Sequence, residues 1–132
     1  MDRLFLDANV LFSAAYREGA GVTRLWNLPV ALLTSEYAVE EARRNLAEAE
    51  QQERLARLLE GLEVVRAGSP DPAMRGSVQL REKDWPIVGG ALAARATHLI
   101  TGDLRDFGLH FGKRVMGVLV LTPANYLASR QP

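Results

Sequence analysis

The chain contains no cysteine, which removes disulfides, thiolate metal sites and a cysteine nucleophile together and fits a reducing compartment. Its only histidines, His98 and His110, lack the i, i+4 spacing of a zinc pair, so a surface or core role is favoured for each. Net charge is missing too: 16 basic and 16 acidic residues cancel, so any nucleic-acid binding must come from local patches rather than from a whole-molecule field. No apolar run is long enough to span a bilayer, and no basic, apolar and small-residue leader precedes the first strand-like segment, which leads us to expect a cytoplasmic protein with no membrane partner. Gly19-Ala20-Gly21 lacks a third glycine and follows a helix rather than a strand, which argues against dinucleotide binding. With 132 residues, 48% of them hydrophobic, a single domain over residues 1–132 is expected.

The chain instead shows a steady alternation of strand-like and helix-like segments. Arg3 to Leu6 is a short apolar run stopping at Asp7-Ala8-Asn9, as a buried parallel strand ending in a polar turn reads. Val10 to Tyr16 should be helical, and a second amphipathic segment runs from Val22 to Leu28. Pro29 to Thr34 reads as a strand, Ser35 as a helix cap, and Glu36 to Leu62 as one long helix of strong helix formers stopped near Gly61. Leu62 to Val65 is a third strand, Gly68 to Pro72 a loop, and Ala73 to Arg81 a helix. A helix from Asp84-Trp85-Pro86 to Arg95, a strand from Thr97 to Thr101, a fifth strand from Val115 to Leu121, and a helix from Pro123 to Ala128 complete the order. Such alternation predicts an α/β fold, a three-layer α/β/α sandwich around a mainly parallel five-stranded sheet, with ligands bound beyond the carboxyl ends of the strands.

Four acidic residues fall where that fold would collect them at one end of the sheet. Asp7 ends the first strand and Asp103 the fourth, with Gly102 allowing close backbone approach and Asp106 a further candidate three residues on. An Asp at such positions also serves as an ordinary turn former. On the long helix, at about 100° per residue, the apolar stripe is Ala38, Ala42, Leu46 and Ala49. Glu41 borders it while Glu40 points to solvent, although a solvated Glu41 is the competing reading. Asp84 precedes a first-turn proline, which suits a helix cap, a role compatible with facing a cation. Asn9 can hold a carboxylate or a metal-bound water.

Four carboxylates at separations of about 5 Å repel by roughly 3 kcal/mol per pair at an effective dielectric near 20, so the group demands neutralisation. Divalent cations are the natural partner, and hard oxygen donors without cysteine select Mg²⁺ or Mn²⁺. A metal pair can flank in-line attack at a phosphodiester. Arg43, Arg44, Lys83, Arg105, Lys113 and Arg114 lie near the acidic segments and could hold a substrate backbone, with Arg44, Lys83 and Arg105 as the substrate-binding candidates. Trp85 could stack on a base or pack in the core. The same acids could act on small phosphate esters as a phosphatase or nucleotide hydrolase, or the fold could serve as a non-catalytic RNA-binding or protein-interaction module.

Taken in order, LFLDANVLFSAAY, TSEYAVEEARRNL, KDWPIVGGALAARATHLITGDLRDFG and the closing VLVLTPANYL resemble the signature regions of PIN-domain ribonucleases, including toxins of the VapC type, over nearly the whole chain. The resemblance implies metal-dependent cleavage of RNA on a small α/β/α sandwich, commonly dimeric and often held inactive by an antitoxin. It places Asp7, Glu41, Asp84 and Asp103 on the family's acidic metal-binding positions, Asn9 and Thr101 on its supporting polar positions, and Asp106 on a less regular acidic one. Gly89-Gly90 departs from the pattern, standing where the family more often carries Ala or a larger apolar residue. Each glycine costs about 1 kcal/mol in helix propensity.

Overall fold

The computed structural model describes residues 1–130. Six strands share one sheet: β1 (Arg3–Leu6), β2 (Ala31–Ser35), β3 (Glu63–Val65), β4 (His98–Ile100), β5 (Arg114–Val115) and β6 (Val118–Leu121). Their order is β3-β2-β1-β4-β6-β5, with every neighbouring pair parallel except β5 and β6. Leu4, Phe5 and Leu6 are all buried. Successive strand side chains point to opposite faces, so burial at consecutive positions means that helices cover both. The register sets Phe5 beside Leu33 on one side and Leu99 on the other, and β1 and β4 meet where the strand order reverses. Open parallel sheets bind their ligands at such a reversal.

Helix α1 (Ala8–Tyr16) starts two residues earlier than the sequence suggests, because the Asp7 carboxylate accepts the Ala8 N–H and caps it. The segment after Gly19 forms only a 3₁₀ turn, Gly21–Asn27. Ser35 caps α2 (Glu36–Asn45) through the Ala38 N–H, a bond worth about 1 kcal/mol. The expected long helix to Leu62 is instead broken: Leu46 turns extended, and α3 (Ala49–Leu59) begins anew at a capping box between Glu48 and Gln51. Side chains that read as helix formers satisfy the break. Gln52 donates to the carbonyls of Arg43 and Leu46, and Gln51 and Arg54 tie α3 to the last carbonyls of α1. Ala38, Ala42 and Leu46 are buried as the stripe required, whereas Ala49, beyond the break, is exposed.

Two further expectations need correction. No helix spans Ala73 to Arg81; the connection holds only 3₁₀ turns at Pro72–Met74 and Glu82–Asp84, interrupted by Gly76 at φ 60°. The fifth strand is two strands, because Met116 at φ 50° and Gly117 at φ 88° make a left-handed two-residue turn that folds Val115 back, antiparallel, onto Val118. Among the described residues the sheet therefore has six strands, not five. Helix α4 (Trp85–Ala93) ends short of Arg95, α5 (Leu104–Phe107) is one turn, and α6 (Pro123–Ser129) is capped by Thr122. Among the described residues, no helix is long and apolar enough to cross a membrane.

The Gly89-Gly90 pair is a packing device. A Cβ on Gly89 would fall onto the Gly68 carbonyl, 2.9 Å from its carbon, and one on Gly90 would lie 2.8 Å from the Phe5 ring. The loop at Gly68 can thus run against α4, and α4 can settle on β1. Gly89→Ala should cost about 1–3 kcal/mol of stability despite its better helix propensity, because the obstacle is backbone rather than a yielding side chain. Urea denaturation measures it, and an unchanged or raised midpoint would refute the packing account.

Candidate functional site

The carboxyl ends of β1 and β4 open into a cleft of about 430 Å³ lined by Asp7, Asn9, Phe12, Glu41, Asn45, Lys83, Asp84 and Asp103, among others. Four separate elements supply its acids: the β1 end, α2, the turn before α4, and the β4 end. Glu40 is exposed and pairs with Arg43, while Glu41 lines the cleft.

Asp7 is 4% exposed and fully engaged. Its Oδ1 accepts the Ala8 N–H at 2.7 Å; its Oδ2 accepts the Thr101 hydroxyl at 2.8 Å and the Asn9 amide at 3.1 Å. Asn9 also donates to Thr101 and accepts the Gly102 N–H at 2.7 Å, so side chains lace the two strand ends together. Burial pushes the Asp7 carboxyl up to about 6 against the pull of these bonds, with Glu41 and Asp103 adding to the rise.

Asp84, 6% exposed, is held differently. Its side chain makes no cap bond to α4; Oδ1 accepts from Lys83 Nζ at 3.3 Å, and Oδ2 is buried with no hydrogen-bond partner among the described residues. Burial raises this carboxyl to about 6, and the adjacent Asp106 pushes the same way. Asp103 Oδ1 accepts the Asp106 N–H at 3.0 Å, which starts α5. Asp106 itself is held down to about 2, first by its hydrogen bond from Lys83. Carboxylate oxygens of Asp84, Asp103 and Asp106 lie within 4.8 Å of one another.

Asp106 and Arg105 line not the cleft but an adjoining groove of about 610 Å³, together with Arg75, Arg81 and Trp85. Lys83 alone of the three basic candidates lines the cleft; Arg44 is exposed on α2, and Lys113 and Arg114 lie by the β5 edge. Trp85 is buried under the Arg75 guanidinium, so it packs rather than stacks on a base. His98 stands edge-on to Tyr126, and His110 meets the Gln79 carbonyl. Sequence reasoning missed Phe12, Asn45, Tyr37 and Arg81. Helical spacing could have found two of them, since Asn45 is four residues past Glu41 and Phe12 three past Asn9. Tyr37, whose hydroxyl donates to the Lys83 carbonyl at 2.8 Å, and Arg81, which pairs with Asp106, depend on contacts distant in sequence.

No family model and no curated protein matches this chain. Among solved structures it is similar to one described as "Crystal structure of VapBC2 from Rickettsia felis bound to a DNA fragment from their promoter", with a TM-score of 0.61 and 15% identity, covering 91% of this chain and 98% of that chain. At that identity the likeness concerns the fold: an α/β chain built on a mostly parallel sheet.

Proposed function

We propose that this chain is a PIN-type endoribonuclease that uses Mg²⁺ or Mn²⁺ to hydrolyse RNA phosphodiesters, and that it serves as the toxin of a toxin–antitoxin pair, working as a homodimer. The observation that carries the reading is Asp84 Oδ2, a carboxylate oxygen buried without a partner beside Asp103 in a cleft where Asp7 and Glu41 also sit. A buried polar atom left bare is costly, and a hard cation is the partner that an all-oxygen donor set suits. Asp84, Asp103, Glu41 and Asp7 would hold the ion, which when bound supplies Lewis-acid activation of water and phosphate. Asn9 and Thr101 act on Asp7: their donated hydrogen bonds hold its Oδ2 and fix the carboxylate's orientation. Lys83 places a cation at the cleft wall for a substrate phosphate.

The pairing with an antitoxin draws support from the fold it shares with a chain of a VapBC2 structure. The test is incubation of the purified chain with end-labelled single-stranded RNA in Mn²⁺ and in chelator. Cleavage that needs Mn²⁺ and disappears in Asp7→Asn supports the reading. Intact RNA with undiminished binding would indicate a non-catalytic module, and turnover of small phosphate esters alone a phosphatase.

A further inference from the structure

Both oxygens of the Asp106 carboxylate are already committed to cations. Oδ1 meets Arg81 Nε at 3.3 Å and Oδ2 meets Lys83 Nζ at 2.7 Å, with the Asp106 side chain only 4% exposed. The Lys83 ammonium also reaches Asp84 Oδ1, so a bridging cation accounts for the closeness of Asp84 and Asp106 without a metal between them. A divalent ion on Asp106 would have to displace one of these side chains or lie against two like charges. Asp84 Oδ2, by contrast, is buried and meets no hydrogen-bond partner among the described residues.

We propose that Asp106 is not a metal ligand but a positioning residue, which seats Lys83 and Arg81 so that they grip the phosphate backbone of single-stranded RNA where it passes from the acidic cleft into the adjoining groove. Lys83 lines the cleft, while Arg81, Arg105 and Asp106 line the groove, so the segment from Arg81 to Trp85 forms the wall the two cavities share. Lys83 is 51% exposed and Arg81 60%, so each cation presents an outward side. An ammonium has three donors and a guanidinium five, which leaves both with hydrogen bonds to give to phosphate. The Tyr37 hydroxyl donates to the Lys83 carbonyl at 2.8 Å, which ties the main chain there to α2.

This inference rests on the ribonuclease reading for its substrate, and its test separates the two. Mn²⁺ alone is titrated calorimetrically into the wild-type chain, D106N, K83Q and D103N. Binding of a fluorescein-labelled oligouridylate of about 12 nucleotides is followed by anisotropy in Ca²⁺ at several salt concentrations. We expect D106N and K83Q to keep Mn²⁺ affinity within about twofold, whereas D103N loses tenfold or more. Both should weaken oligonucleotide binding and raise KM about tenfold with kcat within about threefold, and K83Q should lower the salt slope by about 0.7. The double variant should bind about as weakly as D106N alone, because the two residues act as one unit. Lys83 is half exposed, so K83Q keeps the test independent of whether D106N folds. Loss of Mn²⁺ affinity in D106N equal to that in D103N, or oligonucleotide affinity unmoved by both K83Q and D106N, overturns the proposal. If the wild type cleaves nothing, the ribonuclease reading falls while the Mn²⁺ and oligonucleotide titrations still decide the role of Asp106.

Discussion

Asp84→Asn will lose about 10³-fold in Mn²⁺-dependent RNA cleavage while making the metal-free protein more stable, by about 1 kcal/mol at neutral pH. The two changes have one origin. Asp84 is buried, one of its oxygens lacks any partner, and Lys83 compensates only the other. An ionised carboxylate in that position is unfavourable for the fold unless a cation meets its bare oxygen. The amide keeps the shape, removes the buried charge and leaves Lys83 its stronger bond to Asp106. On the proposed ribonuclease reading, activity falls because an oxygen donor to the metal is gone. Such opposed effects mark residues retained for function rather than for stability. Urea denaturation in chelator and single-turnover cleavage in Mn²⁺ provide the two readouts, and a variant that is less stable and fully active would sink the assignment of Asp84.

In chelating buffer the protein will lose stability as pH rises from about 4 to about 7, by roughly 1 kcal/mol from Asp7 between pH 5 and 7.5 and less from Asp84, which Lys83 screens. Both carboxyls sit near 6 in the folded chain against an ordinary 3.8. The folded state therefore holds their protons more tightly than the unfolded state does. Their contribution is fully present below the unfolded value and is lost as pH rises through the folded one. Asp106, shifted down to about 2, works in the opposite sense, but its contribution disappears only as pH falls toward that value, outside the window. Adding Mn²⁺ at about 100 times its dissociation constant should restore about 2.7 kcal/mol, most visibly above pH 6 where the carboxylates are ionised. Stability that rises between pH 5 and 7.5 in chelator, with Asp84→Asn matching the wild type throughout, would contradict the burial of these charges.

Much of this site could be read from the chain because its parts are local signals. Asp7 and Asp103 each follow a short apolar run, and a parallel strand delivers the residue at its carboxyl end to the crevice whatever the details of the connections. The choice of Glu41 over Glu40 needed only helical periodicity across two turns, which the later break at Leu46 does not disturb. The misreadings share a different physics. Gln51 and Gln52 have good helix propensity, yet their amides do more by closing the ends of two helices and gripping α1, a gain visible only in three dimensions. Met116 carries no sign that it will take a left-handed conformation; Gly117 beside it was the one clue to a reversal inside an apolar run. Asp106 was legible as an acid near the others but not as the partner of Arg81, because the groove that joins them is built from a connection with little regular structure.

The hydrogen bonds that lace Asp7 and Asn9 to Thr101 and Gly102 join residues more than 90 positions apart. Closing so large a loop costs more chain entropy than forming the local helices or the β1–β2 pair. A chain still emerging from the ribosome, with β4 not yet released, holds Asp7, Glu41 and Asp84 but lacks the strand end that brings Thr101 and Asp103 to them. The acidic cleft is thus completed only when synthesis is nearly finished, and a product lacking its last third has no β4 to carry Thr101 and Asp103.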